Sequence, residues 1–397
     1  MAIGCVVGAG IANPLGSTLP SFWAGLDSTT SVFEVTEGDE HYPPFNAARV
    51  ADQSIDHGYT TRYTKRVDRF VLLAMSAVRE ALRNARIEIN DANRDRIGLI
   101  VANGTGGWAY VEPMLRRMYA DDSLHAINPY VATAWFPTAA QGEISIALGI
   151  RGYSKTLSGE NLSGAIALQQ AHLALEARDL DIVVVVGAEA PLTPVVHMAW
   201  QDRRIVSQDG SYSAFGELAD GTVLGEGAAA IVLQRADANS SAESKVWLEG
   251  LAFGNGFSES MEKSVRALDG VSIEHIYLDG RASLEADAAE YAGVSAITDS
   301  LASNFTISAP STRYGNAIAA SFLTSVVVAC LSLQKQAVVS TLGRPKQPSK
   351  GTHISAGRIA KPLTGVMVNG SDGLGQAASV IVRMSKSTQH GRNEPCA

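Results

Sequence analysis

A glycine- and alanine-rich run that occurs twice constrains the fold more than any other feature. Gly225-Glu226-Gly227-Ala228-Ala229-Ala230-Ile231-Val232 is echoed by Gly373-Leu374-Gly375-Gln376-Ala377-Ala378-Ser379-Val380-Ile381-Val382. Small residues running into β-branched ones read as a strand packed tightly against its neighbours. Each copy closes a stretch with the same earlier features. A strand ends in small residues, at Gly104-Thr105-Gly106 and again at Asp279-Gly280-Arg281, and a buried-looking helix then begins near Asn161 or Asn316. Self-similarity over so long a period argues for two homologous halves. They are placed at 1–240 and 245–385, joined by the polar Asp237–Ser244 segment and followed by a polar tail at 386–397.

Short β-branched runs alternate with segments of helical period, the pattern of an α/β architecture. Strands are expected at Ile97–Val101, Ile182–Val186, Ala228–Leu233, Glu274–Leu278 and Ser379–Val382. Helices are expected at Asp68–Asn84, Asn161–Ala177, Leu284–Ser303 and Asn316–Gln334. In the first of these, Asp68 is the N-cap and Phe70, Leu73, Val78 and Leu82 share one side.

With 397 residues, 46% hydrophobic and 18% charged, the chain can bury a large core and exceeds one average domain. A net charge of -8 without a run of Lys and Arg argues against a nucleic-acid partner. Cys5, Cys330 and Cys396 form no Cys-x-x-Cys pair, so free thiols are expected rather than a disulfide or zinc framework. The opening Gly4-Cys5-Val6-Val7-Gly8 lacks the pattern of a secretory leader, and no apolar run is expected to reach membrane-spanning length. A cytoplasmic protein with no membrane partner is the expectation.

Three glycine patterns imitate a dinucleotide fingerprint, at Gly8-Ala9-Gly10, Gly225-Glu226-Gly227 and Gly373-Leu374-Gly375. The first lacks the third small residue, and the other two run into β-branched stretches. A pyrophosphate needs the free N–H groups of a helix N-terminus at that point. The eight histidines are scattered, no two at metal-ligand spacing on one helix, and no Gly-x-Ser-x-Gly elbow occurs. No cofactor and no metal are expected.

Several segments resemble the ketosynthases of fatty-acid and polyketide synthesis. Val6-Val7-Gly8-Ala9-Gly10-Ile11-Ala12-Asn13-Pro14-Leu15-Gly16 with Phe22-Trp23-Ala24-Gly25-Leu26 is similar to their opening, and Arg66-Val67-Asp68-Arg69-Phe70 to the start of their first long helix. Phe215 with Asp220-Gly221-Thr222-Val223-Leu224-Gly225-Glu226-Gly227-Ala228 is the most distinctive match. The resemblance implies a thiolase fold with a duplicated α-β-α-β-α five-layer core.

A ketosynthase needs a Cys thiolate that takes the acyl chain, and two His that serve decarboxylation and the developing enolate. The family's Thr-Ala-Cys-x-x-Gly elbow aligns with Gly159-Glu160-Asn161-Leu162-Ser163-Gly164, which puts Asn161 at the nucleophile position. The first His falls on Asp279, the second on Asn316, the upstream Lys on Ser311 and the gating Phe on Leu374. An amide accepts no acyl group near neutral pH, and Asp279 repels a malonyl carboxylate. No catalytic residue remains in this reading: Asn161, Asp279 and Asn316 are degenerate positions.

The resemblance is closest to chain-length factors of type II polyketide synthases, through Gly104-Thr105-Gly106-Gly107-Trp108, Asn128-Pro129-Tyr130 to Ala134-Trp135-Phe136, and Gln141-Gly142-Glu143. Those subunits pair as heterodimers with an active ketosynthase and serve a growing chain carried by acyl carrier protein. By that resemblance the helix Trp108–Tyr119 caps the tunnel at the subunit interface. Tyr110, Pro113, Met114, Trp135 and Phe136 are the tunnel and interface candidates, although Tyr110 and Met114 also suit ordinary core packing. A competing expectation is a remodelled enzyme (dehydratase, cyclase or hydrolase) using Glu160 and Asp279 as acid and base. A priming decarboxylase is disfavoured by the missing histidines, and a homodimeric binding protein is a further alternative.

Overall fold

The computed structural model describes residues 2–38, 40, 42–203, 205–235, 246–268, 272–355 and 357–384. The expected junction Asp237–Ser244, the tail 386–397 and Cys396 lie outside them. A single eleven-stranded sheet runs through the molecule. From one edge inward, the first half contributes Ser154–Leu157, Ile97–Ala102, Ile182–Glu189, Gly227–Gln234 and Ala2–Ala12. From the other side, the second half contributes Leu301–Ser308, Ile273–Tyr277, Gly365–Ser371, Gln376–Met384 and Val246–Asn255, with the short strand Thr352–His353 outermost.

The duplication is exact in topology. In chain order within each half, both series run third, second, fourth, fifth, first. In both, the third, second and fourth strands pair parallel, and the fourth, fifth and first pair antiparallel. The two first strands then join antiparallel at the centre.

Five layers follow from where the apolar side chains go. Helices Ser163–Ala177 and Ser321–Lys335 share the central core with inward side chains of both halves. Helix Arg69–Ala85 covers the outside of the first half, and helices Phe257–Arg266 and Leu284–Ala296 cover the outside of the second. Phe70, Leu73, Val78 and Leu82 are buried as their spacing required. The opening glycines make this packing possible: a Cβ on Gly8 or Gly10 would lie 2.3 Å from Ala81 O or 2.1 Å from Ala77 O. The helix backbone rests directly on the strand.

Three expectations are corrected. The helix expected at Leu284–Ser303 ends at Ala296, and Leu301–Ser308 is a strand. The turn Thr298–Ser300 breaks it, and the β-branched and aromatic residues beyond (Phe305, Thr306, Ile307) suit a sheet. The helices expected from Asn161 and Asn316 begin at Ser163 and Ser321, each after a 3-10 turn that holds the preceding residues. The segment Ile318–Lys335 is long and apolar enough to span a bilayer, but 78% of it is buried inside the molecule. Its Ser and Thr residues interrupt the apolar run without adding charge, and it serves as a central core helix. Cys5 and Cys330 are buried free thiols.

Candidate functional site

The two halves meet at a polar centre. Strand Ser154–Leu157 leads into the tight turn Glu160–Leu162, which opens the helix Ser163–Ala177. Glu160 adopts φ 49°, a left-handed geometry that turns its side chain away from Asn161. Its carboxylate pairs with Arg203 at 2.7 and 3.2 Å. Asn161 points inward and is 3% exposed.

From the second half comes Asn316, also 3% exposed. Asn161 Nδ2 donates to Asn316 Oδ1 at 2.9 Å. That oxygen also accepts from Ile318 N at 2.9 Å and Ser321 Oγ at 3.0 Å. Asn161 and Asn316 are thus bonded to each other, and Asn316 Oδ1 is saturated. Asp279 lines the same cavity, with Ser371 Oγ donating to its carboxylate at 2.6 Å. Ser311 is there too, 3.1 Å from Tyr212 Oη, which lies 2.9 Å from Gly280 O. The structure therefore brings together Asn161, Asp279, Ser311 and Asn316. The space left among them is about 10 Å³.

Behind Asp279 stands a buried acidic group. Glu290 accepts from Asp279 N at 2.9 Å, Gly280 N at 3.2 Å and Asn369 Nδ2 at 3.1 Å. Burial, reinforced by the negative Asp279, pushes Glu290 up to about 8. Burial raises Asp279 as well, against the pull of Arg281 and Ser371, and raises Asp287 to about 7. Burial thus favours the neutral form of Glu290 near neutral pH and leaves Asp287 divided between its two forms.

Leu374 stands apart. It is 74% exposed at the tip of a loop between Gly373 (φ 71°) and Gly375 (φ 106°), and it borders a separate cavity of about 430 Å³ with Ser283 and Ser371.

Tyr110, Pro113, Met114, Trp135 and Phe136 form a second region, and none of them lines the central cavity. Tyr110 and Met114 lie on the helix Trp108–Ala120. Asn103 sets its start, donating to Ala188 O at 2.7 Å and accepting from Gly106 N at 2.8 Å. Asp68 then accepts from both Phe70 N at 2.9 Å and Tyr110 N at 2.7 Å. Burial raises Asp68 to about 7. Tyr110 is half-buried, its hydroxyl donating to Lys65 O at 3.1 Å, whereas Met114 is buried and its Sδ accepts from Asn128 N at 3.4 Å. Pro113 is exposed within the helix. Trp135 and Phe136 are 46% and 56% exposed, with their rings 6.1 Å apart, and Trp108 meets Trp135 edge-on at 6.2 Å.

Sequence reasoning quoted two motifs without joining them. Arg69 Nε and Nη2 clasp Glu226 at 2.7 Å each, so Arg66–Phe70 and Gly225–Gly227 are one buried ion pair seen twice in the chain. Arg281 and Tyr314 were also missed as parts of the centre, although Arg281 sits two residues after Asp279. Among the described residues, no group of three or more His, Cys, Asp or Glu could hold a metal ion.

The sequence model described as beta-ketoacyl synthase, N-terminal domain, matches residues 5–239, and its C-terminal domain counterpart matches residues 254–344. This chain belongs to the beta-ketoacyl synthase family. It is 30% identical over 352 residues to polyketide beta-ketoacyl synthase 2 of Streptomyces coelicolor, covering 83% of this chain and 82% of that one. It is 26% identical over 255 residues to 3-oxoacyl-acyl-carrier-protein synthase 2 of Staphylococcus aureus, spanning 63% of this chain and 61% of the relative. Among solved structures it is similar to a type II polyketide ketosynthase in complex with its acyl-carrier protein and bound to the hexaketide (TM-score 0.81, 18% identity, 96% of this chain and 98% of that one). A beta-ketoacyl synthase from Burkholderia phymatum gives TM-score 0.83 at 18% identity, over 97% of this chain and all of that one. At such identity the structures speak for the thiolase fold alone.

Proposed function

We propose that this chain is a non-condensing, chain-length-factor-like subunit that pairs with an active ketosynthase of a type II polyketide synthase. There it shapes the tunnel that receives the chain growing on acyl carrier protein. The observation that carries this reading is the bond between Asn161 and Asn316 beside Asp279, in a space of about 10 Å³. A family member built for condensation needs a thiolate and two imidazoles at these places and room for a thioester. Here both the groups and the room are missing, while the fold around them is kept. The similarity to a polyketide synthase of Streptomyces coelicolor supports the pathway class.

The exposed aromatic pair Trp135 and Phe136, together with the outer strand Ser154–Leu157, supports a subunit interface in this region. The reading in which Glu160 and Asp279 act as acid and base has less behind it. Glu160 is held by Arg203 and does not line the cavity that Asp279 lines.

The test is mass spectrometry of the purified chain after incubation with acetyl- and malonyl-carrier protein, alone and with a ketosynthase that carries Cys and both His. The expected result is no acyl adduct on this chain in either case, and a heterodimer in the second. An adduct on this chain, or a stable monomer at micromolar concentration that ignores the ketosynthase, defeats the reading.

A further inference from the structure

The central cavity holds unspent hydrogen-bonding capacity. Asn161 Oδ1 and Tyr314 Oη are buried without a partner, and both residues are 3% exposed. Ser325 stands beside Tyr314 but outside hydrogen-bond geometry. Arg281 is 7% exposed, and its one hydrogen bond among the described residues is from Nη1 to Ser371 O at 3.5 Å. A guanidinium carries five N–H donors, so most of its capacity is unused by protein. Asn161, Tyr314, Ser325 and Arg281 all line the same space of about 10 Å³.

Leaving such groups bare costs more than a made hydrogen bond gains. The chemistry of the lining narrows what can satisfy them. Asn161 Oδ1 only accepts, so it refuses an anion; Arg281 is a buried cation, so it refuses a second one. A neutral molecule able both to donate and to accept fits, and the volume restricts its size. A water needs roughly 10–15 Å³ of such space and typically makes about three hydrogen bonds.

We infer that this cavity is a binding site for one ordered water, which donates to Asn161 Oδ1, pairs with Tyr314 Oη and accepts from Arg281. The site joins the two halves, since Asn161 comes from the first and Tyr314 and Arg281 from the second. It occupies the place where a condensing relative needs room for an acyl thioester, so the former pocket is filled and closed rather than vacant. The inference stands on the cavity alone and is independent of whether the chain sets product length.

A crystal structure of the full-length chain, alone or with its ketosynthase, tests it directly. One isolated density peak about 2.6–3.2 Å from both Asn161 Oδ1 and Tyr314 Oη is expected. The peak should vanish in the Asn161→Leu, Tyr314→Phe double variant. An empty cavity, a direct Asn161–Tyr314 bond, or elongated density of a larger ligand overturns the inference. Closure has its own measurement. Alkylation of the Asn161→Cys thiol by iodoacetamide should be at least about a hundredfold slower in the native chain than in urea, because it waits on local opening. Equal rates in the two conditions overturn the closed site.

Discussion

The polar centre and the Trp108–Phe136 region make opposite use of the same fold. In the centre, Asn161, Asn316 and Asp279 are buried, bonded to neighbours and packed around almost no free space. Around the helix Trp108–Ala120, Tyr110 is half-buried, Pro113 exposed, and Trp135 and Phe136 leave large apolar surfaces in water. On the reading proposed above, substitution at the centre has removed both the chemistry and the room for a thioester. The second region leaves a contiguous pair of aromatic rings open to water.

The largest expected effect concerns the centre. Asn161→Cys restores a nucleophile but leaves Asp279 and Asn316 in place of two imidazoles, so carbon dioxide release and chain extension should stay at background. Residues that act as a unit are not rescued singly. Condensation by this single variant would break the contrast outright.

The next effect separates two residues within the second region. Met114→Ala, at a buried position, should cost about 2–5 kcal/mol of stability in urea denaturation. Tyr110→Ala, half-buried, should cost about 1 kcal/mol and lengthen the product of the reconstituted heterodimer. Equal losses at both sites, with product length unchanged, would assign Tyr110 to packing and remove the distinction.

Smaller still is the contribution of the exposed pair. Trp135→Ser with Phe136→Ser should leave the urea midpoint unmoved and weaken association with the ketosynthase by about tenfold or more, read by titration calorimetry. Unchanged association would move the interface elsewhere on the surface.

The last effect is a dependence on pH that both regions share. Asp68, Glu189 and Asp287 are raised to about 7 and Glu290 to about 8, in each case chiefly by burial. Each is an acid whose folded pKa lies above its unfolded value near 4. The folded chain keeps protons that the unfolded chain has released, so these groups lower stability as pH rises from about 4 to 8. Urea midpoints at pH 7, 7.75 and 8.5 should decline in that order, above the range in which His197, His275 and His353, held below their usual pKa by burial, act in the opposite sense. A rising series would mean that these carboxylates are ionised in the native protein.

The sequence made the fold legible because its signals were local and redundant. Asp68 before Phe70, the β-branched run after Gly227 and the paired glycine runs each pointed to the element found. The readings of Asn161, Asp279 and Asn316 came by resemblance rather than from local signals: of the family's Thr-Ala-Cys-x-x-Gly elbow this chain keeps only Gly164. What stayed hidden depended on distance in the chain. Nothing local says that Glu226 reaches Arg69, or that Arg281 and Tyr314 share a cavity with Asn161. The helix expected through Ser303 failed because an apolar run of moderate length fits helix and strand alike until the turn Thr298–Ser300 is weighed. The strand Ser154–Leu157 escaped notice because it is short and half polar.

Asp68 ends one helix's search for a cap and begins another's. Because a single carboxylate receives Phe70 N and Tyr110 N, the starts of the helices Arg69–Ala85 and Trp108–Ala120 are pinned to one point. The first of these is clamped to the sheet by the Arg69–Glu226 pair and by the bare glycines beneath it. The second therefore cannot slide along its axis or tilt about its start without tearing the first from the sheet. In relatives that keep this clamp, the faces of the second helix are open to revision by exchanging side chains along a fixed rail, one residue at a time, and closed to revision by moving the rail.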